Sequence, residues 1–457
     1  TFLGKSVTKV RVNGKDFFGG DLKTDTQNLP ADAVQNVQMV NDYGDQANMT
    51  GIKTGDPETV LNINIKPSRN HGYFGQVSAG GGHDAIPDKG SINGGARYIA
   101  QGNMFNFNDG QQIAVLANLN NTNTNLFNFG GPGGRQGGGG DPGGNNNNQA
   151  GISINRSVGL NYRDSWGKKV TVYGSYSFSD KSTNTISSTI QNNISLVNPS
   201  TNSQNSTKDD ETKSHRLNFN LEWKPDTVNY LKVTPSYTYI GLNTNQNGSN
   251  LLTNQTETVS NYNFTSLSNS SAPNYGINAL YNHRFNGHGR NLSINVGTGR
   301  TSSRAYQNPV YDYIAGAANA PLDQFINTNS HTDTVGTSVS YIEPIAKKSY
   351  LEVNYKYSHS YTVADKETDT LTAANVINNY PLLSNNYNFT FITNRFGLNY
   401  RFVEKKYNYV LGVTAQPSIL KGYSVTTGMP TSISSFNVSP NAHFIYNFSR
   451  SQSFSAN

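Results

Sequence analysis

Apolar and polar residues alternate with a period of two along most of the chain. The segment 217–223 has apolar residues on one face and polar residues on the other: Leu217, Phe219, Leu221 and Trp223 against Asn218, Asn220 and Glu222. Such alternation is typical of a β-strand with one apolar and one wet side. The same period recurs at 231–239, 292–296, 351–358 and 395–402. From about residue 72 onward, the sequence predicts a succession of amphipathic strands.

Short turns and long Asn/Ser/Thr-rich segments alternate between these strands. Turn residues cluster at six places: Asp164–Lys169, Pro225–Asn229, Asn286–Arg290, Glu343–Lys348, Glu404–Asn408 and near Ser449–Ser453. A strand on each side of every turn and loop gives about 14–15 strands, more than an open twisted sheet usually holds. Closure removes exposed strand edges, so the predicted fold is mostly β, an antiparallel barrel.

Three features favour a transmembrane barrel over a soluble β-sandwich or repeat protein, in which alternating strands also occur. The predicted strands of about ten residues have the length that a tilted membrane strand needs. Tyr, Phe and Trp recur near strand ends, as in interfacial girdles, and short turns opposite long loops are the usual layout of outer-membrane barrels. The polar faces would then line a lumen, and the apolar faces would contact lipid.

Composition narrows the functional classes. Charged residues make up 14% of the chain, while aromatic residues make up 11% and mean hydropathy is −0.60. Uncharged polar residues therefore replace charge, and the aromatic content is too high for a disordered chain. The absence of Cys excludes disulfides and cysteine nucleophiles. Because Lys and Arg are scattered despite a net charge of +6, nucleic acid is not an expected partner.

Two segments carry no catalytic or targeting signal. The glycine-rich segment Gly130–Gln149 lacks a following Gly-Lys-Ser/Thr and a βαβ context, so we predict a flexible surface loop and not a phosphate site. Thr1 and Asn457 both fall inside a repeating pattern, and no signal peptide precedes the first strand. We therefore expect the chain to be a piece of a longer polypeptide.

The first 70 residues differ from the rest in the elements that their sequence predicts. VNGKDFFGGD contains Asn13-Gly14, the strongest two-residue hairpin signal, followed by Phe17 and Phe18 on the return strand. In LPADAV, Pro30 stands at an expected first helical position with Asn28 as its cap. Strand-like VQNVQMV and the alternating stretch 60–65 follow. These elements predict a small α+β module.

Residues 7–82 resemble the second half of the plug and the first barrel strand of TonB-dependent receptor-like outer-membrane proteins. The similarity rests on VTKVRVNGKDFFGGD, NLPADAVQNVQMVNDYGDQANMTGI and LNINIKPSRNHGYFGQVSAGGG. The nearest subgroup has a carboxypeptidase-regulatory-like domain ahead of the plug. The resemblance implies a partial plug domain at residues 1–70 and the N-terminal part of a barrel at 71–457, with about 14–15 of an expected 22 strands. It also implies a location in the bacterial outer membrane.

The same resemblance implies energised uptake of a ligand through a plugged barrel. The partners it implies are outer-membrane lipids and lipopolysaccharide, a TonB-type energy-coupling protein, and a surface lipoprotein or other envelope subunits. A second hypothesis is a barrel without transport that serves as a structural or scaffold subunit of an outer-membrane complex. A third is a soluble or surface-displayed β protein that binds carbohydrate through Tyr and Asn.

An enzyme is not expected, and neither is a cofactor. The eight histidines show no metal-ligand spacing, and no serine nucleophile elbow or EF-hand-like Asp run occurs. Carboxylates such as Glu222 and Glu352 are isolated on polar strand faces. Their spacing along the sequence therefore gives no support for a pair of catalytic carboxylates of the glycosidase type.

Lumen-facing charges are the candidate ligand residues, because a polar interior sets selectivity in such barrels. The candidates are Lys15 and Asp16 on the N-terminal hairpin, and Glu222, Glu352, Lys356, Arg395 and Arg401 on the barrel strands. Two roles remain open for each of them, contact with a ligand or pairing with the plug to hold it in place. The substrate class is also open, since Tyr- and Asn-rich segments suit oligosaccharides and peptides equally.

Overall fold

The computed structural model describes residues 6–20, 22–50, 57–85, 95–108, 110–124, 151–195, 198–255, 257–285, 289–316, 323–371, 376–404, 406–448 and 452–456. These residues form a small sheet of four strands near the N-terminus and a large sheet of 16 strands. The segment Gly130–Gln149, for which the sequence predicts a surface loop, lies outside the described residues.

The small sheet and its short helices form what we call the N-terminal unit, residues 6–69. Its elements are β1 (Lys9–Val12), β2 (Lys15–Asp16), α1 (Leu22–Asn28), β3 (Val34–Asp42), α2 (Asp45–Thr50) and β4 (Glu58–Ile65), with 3-10 turns at Phe18–Gly20, Ala31–Ala33 and Pro67–Arg69. The strand order is β2-β1-β4-β3. No helix among the described residues has the length and apolarity needed to cross a membrane.

The hairpin expected at Asn13-Gly14 is confirmed, but its return strand is only Lys15–Asp16, so Phe17 and Phe18 follow that strand and do not lie on it. The expected helix is partly wrong. Val12 pairs with Lys15, and both turn residues have positive φ, 49° and 78°, as a type I′ turn requires. After Pro30 the chain makes a 3-10 turn at Ala31–Ala33 and not an α-helix. Asn28 does not cap this turn, because it ends α1 and donates from Nδ2 to the Thr24 carbonyl oxygen at 2.8 Å.

The large sheet, which we call the wall, contains antiparallel strands that pair in chain order, with one short strand off the path. Its strands are β5 (His71–His83), β6 (Ala96–Asn108), β7 (Gln111–Asn120), β8 (Ile152–Trp166), β9 (Val170–Asn193), β10 (Ser200–Trp223), β11 (Asn229–Asn254), β12 (Thr258–Arg284), β13 (Asn291–Gly316), β14 (Gln324–Ala346), β15 (Ser349–Leu371), β16 (Ile377–Asn379), β17 (Asn385–Val403), β18 (Tyr407–Ser424), β19 (Met429–Asn447) and β20 (Ser453–Ala456). The predicted mostly-β fold and strand number are confirmed, as are the short turns predicted at Asp164–Lys169, Pro225–Asn229 and Glu343–Lys348. The other three predicted turns lie partly outside the described residues.

The two faces of the wall differ as the alternation predicts. On β10, Leu217 and Trp223 are 40% and 44% exposed on one face, whereas Glu222 on the other is 6% exposed. The N-terminal unit lies against the face that carries Glu222, since its Phe18–Gly20 turn contacts β8 and β9 and α2 contacts β12. We call this face the inner face and the opposite one the outer face.

The strands are much longer than the sequence suggests. β11, β12 and β13 have 26, 27 and 26 residues, where about ten were expected. The segments interpreted as long Asn/Ser/Thr-rich loops are mostly continuations of these strands, paired in register almost to their ends. Pairing between strands satisfies the backbone N–H and C=O groups of these polar segments. Their side chains are hydrated on both faces, because these segments lie beyond the part of the wall that contacts lipid, which we call the belt.

Two ion pairs on the outer side of β13 and β14 mark the edges of that belt. At the short-turn end, Arg290 Nη2 lies 2.5 Å from Glu343 Oε1, and ten residues further along each strand (290 to 300, 343 to 333) Arg300 Nε lies 2.5 Å from Asp333 Oδ1. The outer-face residues between them on β13 are uncharged: Leu292, Ile294, Val296 and Thr298. Ten strand residues tilted by about 40° span roughly 25 Å, the height of the apolar band of an outer-membrane barrel.

An apolar core joins the N-terminal unit to the wall. Val10, Val12, Phe17 and Phe18 of the unit pack with the inner-face residues of β6 and β7, which are Phe105, Phe107, Ala114 and Leu116. The rings of Phe17 and Phe105 are stacked, with 6.4 Å between their centroids. The inner face is thus apolar where the unit sits on these two strands. Each fully buried Phe contributes about 1.5–3 kcal/mol relative to exposure.

We expect Val296→Arg to lower the free energy of unfolding by about 2–4 kcal/mol, because it places a charge on the lipid side near the middle of the belt. Ile314→Arg is the control, at a 61% exposed bulge position on the same strand beyond the Arg300–Asp333 edge. It should cost less than about 1 kcal/mol. Urea-dependent unfolding of the full-length protein in lipid vesicles measures both. Equal losses for the two variants would mean that the belt lies elsewhere.

Candidate functional site between the N-terminal unit and the wall

A cavity of about 540 Å³ lies between the N-terminal unit and strands β9–β11. Most of its lining residues are charged and come from both sides: Lys9, Arg11, Lys15, Asp16, Asp42, Asp45 and Glu58 from the unit, and Glu222, Lys224 and Lys232 from the wall. Charge is scarce in this chain, at 14% of residues. The concentration of ionisable groups in one cleft therefore marks it as the candidate site.

Lys15 and Glu222 connect the hairpin to the wall. Lys15 Nζ donates to both Glu222 carboxylate oxygens at 2.7 Å, and the Tyr173 hydroxyl donates to Oε1 at 2.8 Å. Glu222 is only 6% exposed, so these donors replace the water that its charge loses. Burial lowers the pKa of the Lys15 amine, and the Glu222 carboxylate opposes that shift only in part.

A second ion pair crosses the same interface with the opposite polarity. Lys232 of β11 donates from Nζ to Asp45 Oδ2 at 2.7 Å, at the start of α2. Lys232 is the direct cross-strand neighbour of Glu222. The wall thus presents an anion and a cation side by side, and the unit presents their two counterions. A displaced unit would set like charges against each other, so the two pairs fix its orientation.

Asp16 does not reach the wall, because two cations within the unit hold it. Arg11 Nε donates to Asp16 Oδ1 at 3.0 Å, and Lys9 Nζ lies 3.3 Å from Oδ2. Arg11 also donates from Nη2 to Asp42 Oδ2 at 2.5 Å. Burial alone would lower the pKa of the Arg11 guanidinium, but Asp16 and Asp42 together raise it. This network stiffens the hairpin that presents Lys15.

The Phe-Phe-Gly-Gly loop after the hairpin is held in an unusual backbone conformation by the wall. Phe18 has a positive φ of 40°, rare for a bulky residue, and its backbone N–H donates to Asn161 Oδ1 at 3.0 Å. Gly19 has φ 71°, and a Cβ there would lie 2.7 Å from Asn218 Nδ2. The glycine therefore permits both the turn and its close approach to β10.

Glu352 and Arg401 form a separate buried pair on the wall. Arg401 donates from Nε to Glu352 Oε2 at 2.8 Å and contacts the same oxygen through Nη2. Asn399 Nδ2 and Ser340 Oγ donate to the carboxylate at 3.0 and 2.8 Å. Both charged residues are 6% exposed. These contacts link β14, β15 and β17, so we interpret the pair as one that stabilises the sheet.

Lys356 and Arg395 are placed differently from the other candidates. They are direct cross-strand neighbours on β15 and β17, and both are exposed. They share the strand face of Glu352 and Arg401 because they lie an even number of residues away from them. Two adjacent exposed cations on the inner face make a patch that would attract an anionic group.

Sequence reasoning selected Lys15 and Glu222 but missed their partners Tyr173, Lys232 and Asp45. Lys232 could have been found, because the predicted turn Pro225–Asn229 places it opposite Glu222 on the same polar face. No local signal marks Asp45 or Tyr173, because only the docking of the unit brings them to the wall. Among the described residues, no group of three or more His, Asp or Glu side chains is arranged to hold a metal ion.

Residues 283–457 match the outer membrane protein beta-barrel family. The fold is similar to that of the ferric citrate transporter FecA in its unliganded form, with 10% identity over 96% of this chain and 66% of FecA and a TM-score of 0.35. The siderophore receptor PiuA from Acinetobacter baumannii has 10% identity over 97% of this chain and 84% of PiuA, with a TM-score of 0.23. BauA, the ferric preacinetobactin receptor from Acinetobacter baumannii, has 8% identity over 97% of this chain and 82% of BauA, with a TM-score of 0.27. No curated protein sequence matches the chain.

The chain is therefore a bacterial outer-membrane β-barrel protein. The prediction of an outer-membrane β-barrel is confirmed by this family match. The chain spans 66% of the length of FecA. Its location in the outer membrane argues against the hypothesis of a soluble β protein.

We expect Lys15→Met to loosen the N-terminal unit, because Glu222 would stay buried without its counterion. Breaking such a charged hydrogen bond costs on the order of 2 kcal/mol, or more than tenfold in an opening equilibrium. These 457 residues contain no Cys, so Ala47→Cys, at a 6% exposed position facing β12, introduces one thiol into them as a reporter. Its maleimide labelling rate should rise about tenfold or more.

The control is Arg69→Met in the same reporter background. Arg69 pairs with Asp32 within the unit, with side chains 47% and 63% exposed, and exposed pairs contribute about 0–1 kcal/mol. The charge-swapped variant Lys15→Glu with Glu222→Lys should recover slow labelling. An unchanged rate in Lys15→Met would show that this ion pair does not hold the unit.

We expect Arg401→Met to lower the free energy of unfolding by about 3–5 kcal/mol, because it leaves the Glu352 carboxylate buried without a cation. Lys356→Met should change it by less than about 0.5 kcal/mol, as at other exposed sites. Urea unfolding of both variants tests the division between a structural pair and an exposed lumenal cation. A neutral Arg401→Met would return Arg401 to the ligand candidates.

Proposed function

We propose that this protein is a ligand-gated outer-membrane receptor that takes up its ligand through a plugged β-barrel. Residues 1–70 would be part of the plug, and residues 71–457 the N-terminal part of the barrel. The observation that carries the proposal is the pair of reciprocal ion contacts, Lys15–Glu222 and Lys232–Asp45, that holds a small folded unit against the inner face of the wall. A unit placed there blocks the lumen until those contacts break.

Electrostatic contacts suit a plug that must move. Each ion pair is partly hydrated, since Lys15 is 28% and Asp45 39% exposed at the side chain. Water can therefore take over when the pairs open, so the energetic barrier is moderate. Force from a TonB-type partner in the inner membrane would supply the work. Lys356 and Arg395 remain the ligand-facing candidates, whereas Asp16, Glu352 and Arg401 have structural roles. The proposal includes no catalytic step.

Outer-membrane lipids and lipopolysaccharide would contact the outer-face belt. A surface lipoprotein or other envelope subunits would meet the strand extensions beyond it.

One observation favours a second candidate, a barrel that has lost transport and acts as a scaffold subunit. The apolar core shared by Phe17, Phe18 and the inner face of β6 and β7 is fully buried. Separating it would expose several aromatic rings, at a cost of about 1.5–3 kcal/mol for each. A permanently docked unit would suit a scaffold better than a transporter.

Energy-dependent exposure of the N-terminal unit separates the two candidates. In living cells, Ala47→Cys should react with a membrane-impermeant maleimide faster when the inner membrane is energised, and a protonophore should return labelling to its basal rate. A control reporter, Ile314→Cys, stands at a bulge of β13 that is already 61% exposed, so its labelling should not depend on energy.

Energy-independent labelling of Ala47→Cys would contradict the transporter. Purification of the native full-length protein in mild detergent, with mass spectrometry of copurifying proteins, completes the test. Recovery alone or with one lipoprotein supports the receptor. Stoichiometric recovery in a larger assembly, together with energy-independent labelling, would establish the scaffold.

A further inference from the structure

Four aromatic side chains form a cluster on the inner face near the far end of β12 and β13. Tyr262 lies 4.9 Å from Tyr313 and 5.8 Å from Tyr311 between ring centroids, and 6.5 Å from Phe264. In register, Tyr262 is opposite Tyr313 and Phe264 is opposite Tyr311. All four are half-buried. We call this group the aromatic cluster.

The cluster faces the lumen and not lipid. Tyr262 lies an even number of residues from Leu280, whose side chain is 6% exposed and lines a cavity beside the N-terminal unit. Because β12 keeps its pairing with β11 over this whole stretch, both residues share the inner face.

The cluster lies well beyond the membrane-facing belt. Tyr275 pairs with Arg300, so the outer edge of the belt crosses β12 near residue 275. Tyr262 is 13 residues further along the strand (275 to 262), which corresponds to roughly 30–35 Å at the usual rise and tilt. A ligand that arrives from outside would meet this surface before it reaches the N-terminal unit.

A glycine on the neighbouring strand lets one of the rings lie flat on the wall. Gly248 is opposite Phe264, and a Cβ at Gly248 would come within 2.3 Å of the Asn205 carbonyl oxygen on β10 and within 2.8 Å of the Phe264 ring. A larger residue at 248 would clash with both the β10 backbone and the ring, so glycine permits this close approach of Phe264. One ring face of Phe264 therefore covers the backbone of β11, and the cluster is built as a shallow platform.

The surroundings of the platform are rich in amides, and the nearest inner-face charges on β10, Lys208 and Asp210, form an ion pair with each other at 2.8 Å. Next to it on the inner face of β10 and β11 are Asn202, Gln204, Gln246 and Asn250, and Asn250 donates from Nδ2 to Asn202 Oδ1 at 2.9 Å. None of the described inner-face positions from 200 to 206 on β10, from 246 to 252 on β11 or from 260 to 268 on β12 carries a charged side chain. The cavity beside the N-terminal unit is lined mostly by charged residues, so the two sites differ in chemistry.

This combination selects a ligand class. Carboxamides donate and accept hydrogen bonds at once, which matches ligands whose hydroxyl groups do the same. Aromatic faces supply apolar contact area and attract C–H groups of low polarity. An ionic ligand would lose hydration here without gaining an unpaired counterion, because Lys208 and Asp210 already pair with each other.

We propose that the aromatic cluster binds a neutral oligosaccharide, with sugar rings on the Tyr and Phe faces and sugar hydroxyls on Asn202, Gln204 and Asn250. This inference rests on the proposed receptor function and names its ligand class. It is tested by binding and not by uptake, so the two can fail separately. A neutral peptide is the competing ligand class.

The test uses the full-length protein in detergent on an array of neutral and acidic glycans, with N-acetylated uncharged peptides as the comparison. Calorimetry follows on the best neutral glycan. Tyr262→Ala with Tyr313→Ala should weaken its binding at least tenfold, and Phe264→Ala should weaken it by a similar factor. Tyr306→Ala is the matched control, on the same strand as Tyr313 but on the outer face, and it should leave binding unchanged.

Several outcomes would overturn the proposal. They are the absence of neutral glycan binding, a preference for acidic glycans or peptides, or an equal loss in Tyr306→Ala. The heat-modified migration of each variant reports whether its barrel is folded. If a variant fails to fold, protection of the Tyr262 region from hydrogen exchange by the bound glycan in the unmodified protein decides the point. Glycan binding without energy-dependent labelling of Ala47→Cys would keep this site and remove the transport function.

Discussion

The hydrogen-bonded register between neighbouring strands is the constraint on which the rest of the structure depends. A slip of one residue would exchange the inner and outer faces along an entire strand. Because β10 and β11 pair Glu222 with Lys232, an anion and a cation stand together facing the N-terminal unit. The same ladder puts Trp223 opposite Leu231 on the outer face. Lipid contact and lumenal chemistry are thus fixed by one set of backbone bonds.

Docking of the N-terminal unit combines two interactions with different roles. The apolar core around Phe17 and Phe105 supplies non-directional stabilisation, since its free energy depends mainly on buried area. In the reciprocal ion pairs, the cost of removing water from the charged groups offsets much of the Coulomb attraction. These pairs therefore fix the orientation of the unit more than they strengthen its binding to the wall. The hydrogen bond from the Phe18 N–H to Asn161 holds the loop between them. Together they place a compact unit at one position on the wall.

Distinct chemical zones follow one another along the same strands. The charged cavity lies near the short-turn end, where Glu222 is one residue from the end of β10. The outer-face belt extends from there to the Arg300–Asp333 pair. Beyond it the strands continue as a polar extension with the aromatic cluster on its inner face. A molecule moving inward would pass from a neutral, amide-rich surface to a charged and blocked one.

The sequence by itself determined the strands, their two faces and the short turns, because alternation and turn chemistry are local properties of the chain. It also identified the Asn13-Gly14 hairpin and the charge of Lys15 and Glu222. It could not give the true strand lengths, because polar Asn/Ser/Thr segments are strands only when a neighbour pairs with them. Only the tertiary structure joined Lys15 to Glu222 and Asp45 to Lys232 across about 200 residues of sequence, because contacts between distant segments depend on how two sheets dock and leave no periodic signal in the chain.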